Sequence, residues 1–210
     1  MKKLKFNLFY FIFLEILIDD QELTINLNNA LFKAAKETQT RLINSMIDIE
    51  FSGSTLLVLF IKDCKLAVLN VGDSRAVVGK KSLVKKIWEQ SPLSKDHKPE
   101  NLEENLRIVK AGGRIEKFKD LQGKESGPTR VWFSKDNSYG ISMSRSLGDT
   151  IAKNYGVTWE PGLIKAFYSL YLISENLKEI KEFDLEDEIK FIVLGSDGLW
   201  EVLDNSEVFY

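Results

Sequence analysis

Thiols and imidazoles are nearly missing from this chain of 210 residues, which has one cysteine, Cys64, and one histidine, His97. One cysteine excludes an internal disulfide and any structural zinc site built on several thiolates, and it fits a reducing compartment. A cytoplasmic or nuclear location is therefore expected. One histidine excludes multi-histidine metal clusters, so a divalent metal would be held mainly by carboxylate and water oxygens, which favours magnesium or manganese. Charge of one sign is also lacking: 29 Lys and Arg stand against 31 Asp and Glu, a net charge of −2. No basic field invites nucleic acid or an anionic membrane surface, and no basic stripe with aromatic interleaving is visible. The apolar run Leu8–Leu14 stops at Glu15, too short and too interrupted to span a bilayer. Lys2, Lys3 and Lys5 before it copy a secretory leader, but no Ala, Gly or Ser precedes Ala30 to offer a cleavage site. Three readings of the first residues stay open: a leader, a buried strand or helix, and sequence foreign to the domain that follows.

What is present describes one domain with a core, at 44% hydrophobic, 29% charged and 11% aromatic residues. Between Gln21 and Ile47, apolar and small residues at Leu23, Leu27, Leu31, Ala34, Ala35, Thr38, Leu42 and Met46 recur at helical steps. Leu56–Ile61 and Lys65–Val71 read as a hairpin turning at Lys62-Asp63-Cys64, and Arg75–Val78 as a third strand. A second helix is expected with Pro99 in its first turn, an inner face of Leu102, Leu106 and Val109, and a stop at Gly112-Gly113. Residues 117–140 read as an irregular, solvated excursion, and Phe191–Leu194 as a continuous apolar strand. A helix followed by short antiparallel strands implies an α+β layered domain.

The chemistry-bearing pattern is a strand ending in an acid beside glycine. Asp73 follows the run to Gly72, and Asp197 follows Phe191–Leu194 and precedes Gly198. A carboxylate at a strand end is held at a sheet rim, as a metal ligand must be, while glycine admits close approach of backbone, ion or phosphate. Taken alone, such a pair is usually just a turn.

Several blocks occur in order. They are Ser52-Gly53-Ser54-Thr55, Asn70-Val71-Gly72-Asp73-Ser74-Arg75-Ala76, Leu93-Ser94-Lys95-Asp96-His97-Lys98-Pro99 and Ala111-Gly112-Gly113-Arg114-Ile115. Ser142-Met143-Ser144-Arg145-Ser146-Leu147-Gly148-Asp149, Glu160-Pro161 and the stretch from Phe191 through Ser196-Asp197-Gly198 to Leu203 follow. This ordered set resembles the protein phosphatase 2C family of metal-dependent serine/threonine phosphatases. The resemblance covers residues 20–210, a partial domain, and leaves 1–19 as a non-family apolar segment. It implies a four-layer α-β-β-α sandwich of two antiparallel sheets flanked by helices, incomplete at both ends. It also implies two magnesium or manganese ions in a cleft, a bridging water as nucleophile, and phosphoserine or phosphothreonine in a phosphoprotein as substrate. On that pattern Asp197 matches a ligand of a central metal. Asp73 and Glu201 match a weaker third site, with Glu201 standing where the family usually has Asp. His97 lies in a block that resembles a structural turn beside the cleft, Arg145 and Asp149 look structural, and Cys64 reads as a core thiol. The 117–140 excursion matches the family's variable flap, a contributor to substrate selection.

The family's Asp-Gly-His-Gly block, which supplies a bridging carboxylate and the proposed general acid, has no counterpart in residues 1–51. Its later Asp-Asn ligand block is not matched either. The expectation is a phosphatase chain that assembles no binuclear centre by itself, with no catalytic side chain and no substrate-binding residue assigned. The alternative is a pseudophosphatase that binds a phosphoprotein or partner through the remnant cleft.

Overall fold

The computed structural model describes residues 12–21, 26–62, 65–81, 87–133, 139–162, 165–168, 171–173, 180–182 and 189–209. Cys64, with its core-thiol assignment, and residues 1–11, with most of the leader-like run, lie outside the described residues. No helix among the described residues is long and apolar enough to cross a membrane.

The chain runs α1 (12–19), α2 (Leu27–Ile43), β1 (Gly53–Ser54), β2 (Leu56–Lys62), β3 (Lys65–Val71), β4 (Arg75–Lys81), β5 (Trp88–Pro92) and α3 (Leu102–Lys110). It continues through β6 (Arg114–Lys119), β7 (Glu125–Trp132), β8 (Gly140–Ile141), β9 (Leu147–Gly148) and α4 (Thr150–Lys153). The last elements are β10 (Lys165–Tyr168), β11 (Tyr171–Ile173), β12 (Ile180–Glu182), β13 (Ile189–Gly195) and α5 (Asp197–Trp200). The sheets are small and antiparallel. Two of them, ordered β10-β3-β2 and β13-β4-β5, form the centre.

Alternation along β3 builds the layers. Leu66 and Val68 point between the two central sheets, where they meet Ala76 and Val78 of β4, Leu93, Leu57 and Leu59 of β2, and Ile192 of β13. Ala67, Leu69 and Val71 point the other way, onto Leu31, Ala34, Ala35 and Leu42 of α2. A period of two in the strands thus meets a period of 3.6 in the helix. Each leucine fully buried in this way contributes about 1.5–3 kcal/mol. Asn26 caps α2, its side-chain oxygen accepting from Asn29 N at 3.2 Å. The buried set of α2 reproduces the expected stripe as far as Leu42, but Met46 lies beyond the helix end and is exposed. In α1, Phe13 and Leu17 are buried in the same core as α2. On the far side of the second central sheet, Phe209 lies over Gly79, where a Cβ would meet its ring at 2.3 Å. Phe209 stacks on Phe191, which also packs against Trp88.

Three expectations need correction. The buried face of α3 is Glu104 and Ile108, while Leu102, Leu106 and Val109 are exposed. Glu104 is buried because two arginines and a serine satisfy its carboxylate, and that polar cluster, not the leucine stripe, orients the helix. Pro99 also precedes the helix, which starts at Leu102 after Asn101. The 117–140 region is solvated but not irregular: β6 pairs with β7 from Arg114↔Trp132 to Lys119↔Glu125. Its turn closes on Asp120, whose carboxylate accepts from Gln122 N and Lys124 N, each at 2.9 Å. The apolar strand expected at Phe191–Leu194 is present as β13, at an edge of its sheet. It pairs with β4 on one side, no strand among the described residues borders its other edge, and Phe191 and Leu194 are exposed.

Candidate active-site rim

Asp73 and Asp197 reach the same end of the molecule through one strand pair. Antiparallel pairing of β4 with β13 sets Arg75 opposite Gly195. Asp73 stands two residues before Arg75 and Asp197 two residues after Gly195, so both acids sit at the rim where this ladder ends. The rim is held by Trp200, whose indole N–H donates to Gly195 O at 2.8 Å and Arg75 O at 3.2 Å. Arg75 in turn makes a bidentate pair with Asp96, Nε to Oδ1 at 2.9 Å and Nη2 to Oδ2 at 2.8 Å, and reaches Asn205 Oδ1 at 2.7 Å. The hydrogen bonds to Asp96 raise the Arg75 pKa further, against the opposing effect of burial.

The Asp73 loop is fastened to the 94–98 turn. Gly72 adopts φ +105°, a left-handed conformation that suits glycine, and a Cβ there would meet Thr55 Cγ2 at 2.4 Å. Its N–H donates to His97 Nδ1 at 3.1 Å, and its carbonyl accepts from His97 N at 3.0 Å and Asn70 Nδ2 at 3.1 Å. Asn70 Nδ2 also donates to Lys95 O at 3.1 Å, whereas its buried Oδ1 is without a partner among the described residues. Burial, reinforced by the positive charge of Arg145, lowers the His97 pKa to about 4. The ring is therefore neutral at pH 7 and accepts at Nδ1, as the structural-turn expectation requires.

Behind this loop lies a second polar cluster. Glu104 accepts from Arg145 Nη2 at 2.5 Å, Arg107 Nη2 at 2.6 Å and Ser144 Oγ at 2.6 Å. Burial pushes its carboxyl up, but these donors together outweigh burial and hold it well below the usual carboxylate range. Arg145 also donates to the carbonyls of Glu160 and Pro161, and Ser144 N donates to His97 O at 2.9 Å. A chain of bonds therefore links α3, through residues 144 and 97, to the Gly72–Asp73 loop. Asp149 holds φ 44° before α4, and burial raises its pKa. Lys153, bonded to Ser146 O at 2.6 Å, is lowered to about 8, chiefly by burial.

The three acids singled out by sequence differ sharply in setting. Asp73 has a side chain only 3% exposed and forms an ion pair with Lys98 Nζ at 2.5 Å. Asp197 is exposed, and its Oδ1 accepts from Gly198 N at 2.8 Å. Glu201 is exposed at the end of α5. No group of three His, Cys, Asp or Glu among the described residues could hold a metal ion. The donors present therefore do not fit a two-ion cage by themselves: one carboxylate is spoken for by an ammonium, and the others stand alone in water. Lys98, Glu104 and Arg75 organise this region, and sequence reasoning did not single them out for it. A lysine before proline in a polar turn has no periodic signature, and a glutamate on a helix normally faces solvent. Beside the rim, an open cleft of about 480 Å³ lies between the 47–54 segment and the β7–β8 flap, with Arg130, Tyr139 and Met143 in its wall. Phe51 and Tyr139 stack across it at 4.4 Å.

Comparison with known proteins gives this arrangement a context. The family model described as "Protein phosphatase 2C" matches residues 12–209. "Probable protein phosphatase 2C 12" of Oryza sativa subsp. japonica is 36% identical over 162 residues, covering 77% of this chain and 36% of the relative. "Probable protein phosphatase 2C 18" of Arabidopsis thaliana is 32% identical over 187 residues, covering 89% of this chain and 33% of the relative. The chain thus spans about a third of the length of these curated relatives. Among solved structures, a serine-threonine phosphatase 2C from Toxoplasma gondii matches with a TM-score of 0.66 at 22% identity, over 90% of this chain and 55% of that one. A C. elegans sex determining protein matches with a TM-score of 0.68 at 19% identity, over 96% of this chain and 41% of that one. At such identities the structural likeness shows the fold alone, whereas the family match takes in nearly the whole sequence: the chain belongs to the protein phosphatase 2C family.

Proposed function

We propose that the chain carries part of the active site of a metal-dependent phosphatase acting on phosphoserine or phosphothreonine in proteins. The observation that carries this reading is the β4–β13 register, which brings Asp73 and Asp197 to one rim within a chain of this family. Asp197 and Glu201 are the exposed acids through which it would meet magnesium or manganese, with Asp73 as the buried acid beside them. The neighbouring cleft under the flap, with Arg130 in its wall, is the surface that would select among phosphoproteins. The bridging carboxylate of the family's Asp-Gly-His-Gly block is not among these 210 residues. By itself the chain therefore turns over little or no substrate.

Two measurements test this reading. The purified chain is expected to release no more phosphate from a phosphothreonine peptide with manganese than its Asp197→Ala variant does. Manganese-dependent turnover that Asp197→Ala abolishes would refute the claim of impaired activity. A chimera in which residues 52–209 replace the matching stretch of an active relative is expected to hydrolyse the peptide and to lose that activity with Asp197→Ala. A folded chimera that binds manganese but stays inactive would support the pseudophosphatase reading, which the engagement of Asp73 by Lys98 favours.

A further inference from the structure

We propose that Lys98 is a built-in counter-ion that closes Asp73 to divalent metal, so that an ammonium, not an ion from solution, neutralises this side of the rim. The inference rests on the reading of Asp73 and Asp197 as one rim. It starts from the contrast between them. Asp197 is exposed and accepts a bond from its own neighbour, Gly198. Asp73 is 3% exposed at the side chain, and Lys98 Nζ lies 2.5 Å from its Oδ2. A carboxylate so deeply buried needs a cationic partner. The arginines around the rim are committed elsewhere, Arg75 to Asp96 and Arg145 to Glu104, which leaves the pairing with Asp73 to Lys98.

The pair is fixed by backbone as well as by charge. His97 binds Gly72 twice, through its own N–H to the Gly72 carbonyl and through Nδ1 from the Gly72 N–H. The residues after these two, Lys98 and Asp73, are the ion pair. The His97–Gly72 bonds set the register between the two loops and so hold the Lys98 backbone within reach of Asp73. A divalent ion arriving at Asp73 would meet an ammonium already within bonding distance of the same oxygen. Two cations sharing one largely buried carboxylate repel each other. Metal access at this position is therefore a competition that Lys98 wins in this chain, and the acids left open to ions are Asp197 and Glu201.

Manganese titration of the full 210-residue chain, followed by electron paramagnetic resonance of the free ion, tests this directly. Wild type and Asp73→Asn are expected to give superimposable curves. Lys98→Met is expected to gain roughly tenfold or more in manganese affinity, a gain absent from the Lys98→Met/Asp73→Asn double variant. Lys98→Arg should behave as wild type, because the charge is kept. Manganese should also raise the melting temperature of Lys98→Met more than that of wild type. Wild-type binding that falls with Asp73→Asn would overturn the proposal, and so would a folded Lys98→Met chain with no gain. Should Lys98→Met fail to fold, as judged by circular dichroism, the comparison of wild type with Asp73→Asn decides. A titration of wild type that is insensitive to Asp197→Asn would instead count against Asp197 as a ligand, leaving the Lys98 comparison untouched.

Discussion

Acidification should unfasten the Asp73 loop through one side chain, His97. Its ring is 6% exposed, and Nδ1 accepts from Gly72 N at 3.1 Å. Protonation places an N–H where that N–H already points and adds positive charge near Arg145 and Arg107, opposed only in part by Glu104. The pKa accordingly falls from 6.5 to about 4 in the folded chain. A base whose pKa is lowered by folding contributes stability above its unfolded pKa and loses it as pH falls towards the folded value. The window is thus from about pH 6.5 down to about pH 4. A shift of this size corresponds to about 3 kcal/mol, of which about 2.5 kcal/mol is lost by about pH 4.5. Against a typical domain stability of about 5–15 kcal/mol this is a large fraction. The assay is urea unfolding of wild type and His97→Asn at a series of pH values. Asparagine Oδ1 can take the bond from Gly72 N but cannot titrate. Wild type should lose about 2.5 kcal/mol more than His97→Asn between about pH 7.5 and pH 4.5, since carboxylate titrations common to both cancel. Equal losses in the two chains would refute the argument.

Other perturbations follow from the same contacts. Glu104→Gln leaves Arg145 and Arg107 without their carboxylate and should cost about 3–5 kcal/mol in urea unfolding at neutral pH. Because Glu104 is held below the usual carboxylate range, the gap to wild type should shrink as pH drops below about 4.5. Gly53→Ala would set a Cβ 1.8 Å from Asp149 Oδ2 and 2.6 Å from Leu147 O, and should destabilise by about 1–3 kcal/mol in thermal melts. On α3, Leu106→Glu should change stability by less than about 0.5 kcal/mol, whereas Ile108→Ala should cost about 2–5 kcal/mol. The reverse ranking would mean that the helix faces the other way.

The parts of this fold that were legible in the sequence are those set by a single repeating signal. Leu66 and Val68 alternate with Ala67, Leu69 and Val71, and α2 carries one stripe from Leu27 to Leu42, so hairpin and helix could both be placed. The acid–glycine strand ends were legible too, as was the structural character of His97 and Arg145. Failures occurred where polar chemistry overrode apolar pattern. The leucine stripe of α3 predicts an inner face at Leu102, Leu106 and Val109, but the helix turns to bury Glu104 because Ser144 and Arg145 wait for it 40 and 41 residues further along and Arg107 on the same helix. No local window contains that information. The flap has glycine, lysine and aspartate throughout, which reads as irregular, yet Asp120 caps a tight turn and lets β6 and β7 pair. Phe191–Leu194 was legible as a strand but its place at a sheet edge was not, because a continuous apolar run does not say how many neighbours a strand has.

The two sides of the rim are also built differently, and this bears on how a metal could be held there. On the Asp73 side, His97, Asn70, Lys98 and the Glu104 cluster lock the loop through bonds that are largely removed from solvent. On the Asp197 side, α5 is a single exposed turn whose position depends on the Trp200 indole and on Arg75 stacked 5.2 Å from its ring. A ligand set needs its members fixed to within a fraction of an ångström of one another. In this chain the rigid acid is the one already neutralised by a lysine, and the open acid is the one on the less supported turn. Affinity at Asp197 therefore depends on how firmly α5 is held, and any ordering of the turn on binding lowers it below that of a preformed site. Strengthening the Trp200–Arg75 anchor would raise metal affinity without touching a ligand; weakening it by Trp200→Phe, which removes the indole N–H, should lower whatever manganese affinity Asp197 provides while leaving the Asp73–Lys98 pair intact. A manganese titration unchanged by Trp200→Phe would show that the turn is already rigid and that its exposure carries no such cost.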